Sequence, residues 1–413
     1  MDSYEVQVDR FAYGGEVFGR LPDGRAVFVP FALPDEKVRV RLVEEKRSYA
    51  RAELLEVLEP APERVEARCP HYGLCGGCHY QHMPYEMQLT AKREVLRDQL
   101  QRIGKLEAPN VLKTVPTPEP WNYRNHVQFH LTRQGKLGYH THTTNKVFPI
   151  QECHLPEAPI NELWPQLDIE VLPGLERIGL RIDAGENLML MLESRDPKPP
   201  EFEVDLPISA VHLSAEDSRV LSGTYYQVME ILGRPFRVTA GAFFQVNNTV
   251  AEAMVQHILD MLPEFVPLSA HTVLLDVYCG VGLFSAFLAG RVGKLVGIEA
   301  SPQACEDFVI NLDEFDNVEL FEAPAETVMP ILDDEPDVIL VDPPRAGLDT
   351  EVLDSIVELA PEVLVYVSCD PATLGRDAKR LTNAGFRLAQ ITPFDMFPQT
   401  YHIESISFWV NES

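Results

Sequence analysis

Short runs in which apolar and polar residues alternate fill the first sixty positions: YEVQV, GEVFG, AVFVP, KVRVRLV and AELLEVL, broken by Gly-Gly, Pro-Asp-Gly and Leu-Pro-Asp. A period of two punctuated by turn residues predicts a small β-barrel over residues 1–60. The segment Glu59–Arg68, EPAPERVEAR, is a Pro-rich charged linker and marks a boundary. The period then lengthens. Tyr85 to Lys105 reads as one amphipathic helix, with Leu89, Leu96, Leu100 and Ile103 on its apolar face. Lys92, Arg93, Arg97 and Arg102 lie off that face, where they meet either solvent or phosphate. Strand-like runs come next (HVQFHL, GLRIDA, NLMLMLE, ISAVHL), so residues 68–240 are expected to form a mixed α+β domain.

From Gly241 onward strands and helices alternate. VLLDVYCG (273–280) leads through GVG into LFSAFLA, and KLVGIEA ends near Glu299. DVILVDPP (337–344), VLVYVSCD (363–370), FRLAQITPF and ESISFWV supply further strands. Near-continuous apolar runs of this kind belong to parallel strands covered on both faces, so residues 241–413 are expected to form a doubly wound, Rossmann-like α/β domain. The fold class is therefore multidomain α/β: barrel, mixed centre, Rossmann-like C-terminus.

Charge changes the picture of partners. The net charge of −28 argues against a polyanion, but residues 241–413 carry 7 basic and 28 acidic groups, while residues 1–240 hold 28 of the 35 Lys and Arg. Contacts to nucleic acid would have to come from the first two domains. The acidic, polar start MDSYEVQVDR is no signal peptide and no apolar run reaches membrane-spanning length, so a cytoplasmic protein is expected, and a monomer.

Seven cysteines in such a chain read as ligands and a reactive thiol more than as a disulfide framework. Cys69, Cys75 and Cys78 cluster, with Cys153 far along the chain. Four thiolates suit either structural zinc or an iron-sulfur cluster, and spacing alone leaves both open. His71, His79 and His82 nearby are read as packing or RNA-facing residues, not as ligands.

In doubly wound sheets ligands bind beyond the C-terminal strand ends. Gly280 and Gly282 follow the first such strand, Asp276 precedes them, and Glu299 ends the second strand where a carboxylate can accept from ribose hydroxyls. The third glycine of a dinucleotide fingerprint is missing, with Leu283, Phe284 and Ser285 in its place. A cofactor without a pyrophosphate, S-adenosylmethionine, is favoured. Asp342 and Cys369 lie at the ends of two later strands, facing the same crevice. Cys369 alone is open between packing and chemistry; the helix beginning at Pro371 offers amides that would stabilise a thiolate.

The motifs GAFFQVNN, DVYCGVGLFS, LVDPPRAGLD, VYVSCDPATLGRD and DMFPQTYHIES, in this order, resemble those of the RNA 5-methyluridine methyltransferase family. Residues 1–58 resemble its TRAM domain, an OB-like RNA-binding barrel, and CPHYGLCGGCHYQH with ECHLP resembles its iron-sulfur site. The resemblance implies that S-adenosylmethionine methylates carbon 5 of a uridine, that Cys369 is the covalent nucleophile, and that Glu404, which alone would read as a surface residue, is the general base. It further implies that Gln245, Tyr278, Glu299 and Asp342 line the cofactor site and that Cys69, Cys75, Cys78 and Cys153 hold a 4Fe-4S cluster. In the barrel, Arg41, Lys46, Arg47, Tyr49 and Arg51 are candidates for RNA contact. Possession of both accessory domains points to 23S ribosomal RNA; uridine 54 of transfer RNA is the alternative target, and a non-catalytic RNA-binding protein the alternative class.

Overall fold

A computed structural model describes residues 3–167, 169, 174–200 and 207–412. The alternating N-terminal runs become strands Ser3–Ala12, Glu16–Arg20, Ala26–Pro30, Lys37–Glu45 and Tyr49–Glu59, which close into a barrel. Val6, Val8, Val17, Val27, Val29, Val38 and Val40 fill it, as the two-residue period requires. Closure leaves no unpaired strand edge. Three of the expected RNA contacts are already paired on the barrel wall: Arg41 with Glu53, Lys46 with Glu44 (3.2 Å) and Arg51 with Glu16 (2.5 Å).

The central runs form one seven-stranded sheet, in order Ser218–Ser222, Ser209–Leu213, Leu188–Ser194, Leu175–Ile182, His126–Leu131, Leu137–His140 and Val147–Pro149. Phe129, Trp164, Ile178, Leu180, Leu190 and Leu192 pack one core against it.

The C-terminal sheet also has seven strands. Its order is Val318–Glu322, Lys294–Glu299, Val273–Val277, Val338–Val341, Val363–Ser368, Glu404–Asn411 and Phe386–Phe394. The first five are parallel and the last two antiparallel. Chain order reverses between Val273–Val277 and Val338–Val341, so a crevice opens beyond the C-terminal ends of those two strands.

Packing departs from the sequence-based boundaries in two places. The hairpin Tyr226–Ile231 and Arg234–Thr239, which turns through Leu232 and Gly233 at positive φ, shares its core with the C-terminal domain. Met229, Ile231, Phe236 and Val238 lie in one cluster with Val250, Leu274 and Phe308, and Asp307 accepts from both the amide (2.6 Å) and the hydroxyl (2.8 Å) of Thr239. The helix Tyr85–Arg102 likewise lies on the C-terminal domain, with Val95, Leu96 and Leu100 against Leu374, Ala378 and Ile391.

That docking corrects the reading of the helix's basic residues. Lys92 is 0% exposed and forms an ion pair with the equally buried Asp395, while its Nζ also donates to the Phe397 carbonyl (2.9 Å). Arg93 donates twice to the Val111 carbonyl (3.1 and 2.8 Å). A second interface covers what an isolated amphipathic helix would leave wet, so neither residue is free for phosphate.

Candidate active site

Gly280 and Gly282 both take positive φ, but for different reasons. A Cβ on Gly282 would stand 2.4 Å from Leu312 and 3.0 Å from Phe308, so this glycine serves packing. A Cβ on Gly280 would meet only open space, the side from which a ligand approaches. Tyr278 is also left-handed (φ 65°), an uncommon conformation for a bulky residue, held by its N–H to the Ile298 carbonyl (2.8 Å).

The carboxylate of Glu299 is oriented by three backbone N–H donors: Gly280 (2.9 Å), Ala300 (2.8 Å) and Ser301 (2.7 Å). Asp276 accepts from the Ser285 hydroxyl (2.5 Å) through one oxygen, and its buried second oxygen has no partner. Burial pushes the Asp276 carboxyl up to about 7, with Glu299 adding to the effect. An orphan acceptor, an open glycine and a fixed carboxylate at one strand end suit a cationic, ribose-bearing cofactor.

Cys369 and Glu404 meet at the same edge of the sheet. They follow directly on the last rung of the antiparallel pair, which sets Ser368 against Ser405, and both line the same cleft. Glu404 is 4% exposed, so it is not a surface residue. Burial and the nearby Asp342 hold its carboxyl well above the usual range, while Arg345 acts against them. The Cys369 thiol is pushed up to about 12, first by burial, then by Glu404 and Asp342, with Arg345 again opposing. Asp342 itself rises to about 7 through burial and Asp276.

The helix after Cys369 does not lower the thiol as expected. Asp370 caps it, its Oδ1 accepting from the amides of Ala372 (2.9 Å) and Thr373 (3.0 Å), so those dipoles are already satisfied by a carboxylate.

A continuous cleft of ≈1690 Å³ joins these groups. Small-molecule sites occupy roughly 300–1,000 Å³, so there is room for a nucleotide beside a cofactor. Gln245, Tyr278, Glu299, Asp342, Cys369 and Glu404 all line it. Two further residues went unassigned by sequence. Arg345, in the Asp342-Pro343-Pro344 loop, is the cation of the reacting end, and Phe243 lines the cleft with its ring 71% exposed. Both fall inside motifs, but only burial and direction distinguish them.

The four cysteines border the far side of the same cleft. The loop Cys69–Cys78 hangs on the hairpin Leu137–Pro149 through a bridge between Cys75 and Thr141 and through Gly76 N–H to the His140 carbonyl (3.1 Å), which brings Cys153 beside it. Burial raises all four thiols, and Cys78 is raised further by Cys153, Cys75 and Cys69. Among the described residues no three His, Cys, Asp or Glu converge as the ligands of a single ion. His82 is buried between Tyr72 and the Ala32 carbonyl (3.1 Å), and His79 packs on Tyr401, both as neutral rings pushed down to about 4 by burial.

A sheet of order 3-2-1-4-5-7-6, with an open glycine and two fixed carboxylates at its switch point, has the architecture of an S-adenosylmethionine-dependent methyltransferase. The family model described as tRNA (Uracil-5-)-methyltransferase matches residues 205–411, and the TRAM domain model matches residues 2–55. An uncharacterized RNA methyltransferase of Thermosynechococcus vestitus is 34% identical over 440 residues, covering 98% of this chain and 97% of the relative. One from Aquifex aeolicus is also 34% identical, over 421 residues, with the same coverage. Among solved structures, the Pyrococcus abyssi tRNA (uracil-54, C5)-methyltransferase in complex with S-adenosyl-L-homocysteine superposes with a TM-score of 0.74. It is 26% identical and covers 98% of this chain and 99% of that one. The chain belongs to the tRNA (uracil-5-)-methyltransferase family and is an RNA methyltransferase. No helix among the described residues is long and apolar enough to cross a membrane.

Proposed function

We propose that the protein methylates carbon 5 of a uridine in folded RNA through a covalent bond between Cys369 and the uracil. The observation that carries this reading is that Cys369 and Glu404, each next to the terminal Ser368–Ser405 rung, line one cleft with the cofactor crevice. S-adenosylmethionine supplies a methyl group on a positively charged sulfonium, and Gln245, Tyr278, Glu299 and Asp342 would hold it. That charge and Arg345 are the cations that favour a thiolate at Cys369.

Carbon 5 of uracil is too weak a nucleophile to react unaided. Cys369 Sγ adds to carbon 6, and the electrons of the C5–C6 double bond move onto the C4 carbonyl as an enolate. Carbon 5 then takes the methyl group as the methyl–sulfur bond breaks, and the sulfur leaves as a neutral thioether. Glu404 takes the carbon 5 proton, the double bond re-forms, and the thiolate leaves. Glu404 accepts that proton in its ionised form, which Arg345 favours against burial; once ionised there, it is a strong base suited to removing a proton next to a carbonyl. A base stacked within RNA must first be flipped out, at a cost of roughly a few kcal/mol, and the exposed ring of Phe243 offers it a stacking partner.

For Cys69, Cys75, Cys78 and Cys153 we propose a 4Fe-4S cluster with a structural role. What supports the reading is that four thiols line one cavity, three from a single loop and the fourth from far along the chain. The methyl transfer moves no electrons, so no step runs through the cluster.

For the target, the barrel and cysteine domain together support 23S ribosomal RNA. Transfer-RNA uridine 54 is the second reading, supported by the end-to-end match to the Pyrococcus abyssi enzyme, which is similarly long and acts on that base. The deciding experiment incubates the protein with RNA carrying 5-fluorouridine, whose fluorine cannot be removed as a proton. A covalent adduct should form with the wild type and vanish with Cys369→Ala; an adduct that survives overturns the mechanism. Mapping 5-methyluridine in ribosomal and transfer RNA with and without the gene names the target.

A further inference from the structure

The barrel reaches the residue that follows the nucleophile. Tyr13, in the turn between Ser3–Ala12 and Glu16–Arg20, donates its hydroxyl to Oδ2 of Asp370, 357 positions away and next to Cys369. The other oxygen of Asp370 caps the helix Pro371–Asn383, and its N–H donates to Ser368 Oγ (3.3 Å) on the opposite side of Cys369. The residue after the thiol is thus fixed from three directions, one of them in another domain. Nor is the barrel contact loose. Tyr13 meets the Tyr401 ring edge-on (centroids 6.1 Å, 88°), and a Cβ on Gly15 would stand 3.0 Å from Tyr401. Tyr401 in turn lies three residues before Glu404, so one turn of the barrel abuts both strands that deliver the reacting groups.

We propose that Tyr13 is a positioning residue for Cys369, acting through Asp370, so that the barrel completes the catalytic site besides gripping RNA. This rests on the reading of Cys369 as the nucleophile. An Asp370 carboxylate left bare would face the thiol as a second negative charge and lose the bond that fixes its orientation. The Tyr13 hydroxyl removes both penalties, because a donor on that oxygen disperses the charge and locks the rotamer.

The test uses the full-length protein and three measurements: adduct formation on 5-fluorouridine RNA, RNA affinity, and the pH dependence of Cys369 alkylation. Tyr13→Phe keeps the ring on Tyr401 and removes only the hydroxyl. It should slow adduct formation about tenfold, the scale of one lost hydrogen bond to a charged group. RNA affinity should stay within about twofold, and the alkylation profile should move to higher pH. Asp370→Asn retains a helix-capping oxygen; combined with Tyr13→Phe it should show no slowing beyond the larger single effect. An unchanged adduct rate in Tyr13→Phe, or a loss matched by weaker RNA binding with an unmoved alkylation profile, overturns the proposal and leaves simple domain docking. If Tyr13→Phe does not fold, Asp370→Asn alone must show the slowed adduct together with an alkylation profile moved to lower pH, because it removes a negative charge beside the thiol as well as the bond that fixes the residue, or the proposal falls. Failure of the underlying reading is separate, because it shows as an adduct that survives Cys369→Ala.

Discussion

Cys369 and Glu404 stand just beyond the last rung of an antiparallel pair, where Ser368 faces Ser405, and both line one cleft. Because side chains alternate along a strand, a slip of one residue would send either group to the other face of the sheet, so the register itself brings thiol and carboxyl together. Glu404→Gln preserves shape and burial while removing the base. The methylated adduct should accumulate on unmodified uridine RNA and appear as a slow-migrating band on a denaturing gel, with turnover down by about 10²–10⁴-fold. Normal turnover would take Glu404 out of its role. Stability should hold or rise, since the change removes a carboxyl that burial keeps well above its usual range.

The thiol should show its environment in titration. With Cys369 raised to about 12, the thiolate fraction grows about tenfold per pH unit across the accessible range, so alkylation of the RNA-free and cofactor-free protein should climb from pH 7 to 10 without levelling. Arg345→Ala removes the cation that opposes this rise and should lower the alkylation rate at every pH. A plateau near pH 8 would show that burial and the acidic neighbours do not govern the thiol.

Asp342 makes a trade between stability and activity. Its folded value of about 7 lies above its ordinary 3.8. A raised carboxyl contributes stability that is fully present below the ordinary value and is lost as pH rises through about 7. At pH 8 the buried negative charge therefore opposes folding. Asp342→Asn should raise stability at pH 8 by about 1–2 kcal/mol, less than the full shift implies because the residue is partly exposed. The gain should disappear by pH 4, and methylation should fall. Urea titrations at the two pH values check the sign.

The C-terminal strands were legible because parallel strands buried on both faces read as unbroken apolar runs, and most of the residues proposed for the site stand where those runs stop. VLVYVSCD foretells both the strand Val363–Ser368 and Cys369 at its end. What escaped has a common cause, contact between segments far apart in the chain. Lys92 reads as a wet helical residue until Asp395 arrives from 303 positions away. The hairpin Tyr226–Thr239 looks like one more central strand pair until Asp307 and Phe308 cover it. The caps on Asp370 likewise defeat the expected helix-amide effect, since a sequence shows the helix start but not which oxygen fills it.

The cysteine loop carries its own test. Protein isolated without oxygen should be brown and contain iron and inorganic sulfide, and Cys78→Ser should bleach it. The loop meets the segment before Glu404 through the amides of His79 (2.8 Å) and Tyr80 (3.0 Å), both donating to the Gln399 carbonyl. Bleached protein should therefore lose methylation along with thermal stability, while a colourless preparation that binds only zinc would sink the cluster assignment.

The buried pair Lys92–Asp395 predicts a strongly non-additive response. Both groups are fully buried, and the Lys92 ammonium supplies the positive charge opposite the Asp395 carboxylate, with the Tyr85 hydroxyl beside it. Lys92→Met strands that charge and should cost about 3–5 kcal/mol in urea unfolding. Adding Asp395→Leu removes the stranded charge and should restore most of the loss, because two apolar groups of similar volume can replace a buried ion pair at little net cost. Asp395 opens the loop that runs through Gln399 and Tyr401 to Glu404, so the single variant should also lose methylation well below its melting temperature. Equal costs for the single and double variants would mean that the pair is screened by water, and that the helix Tyr85–Arg102 is held to the C-terminal domain by its apolar face alone.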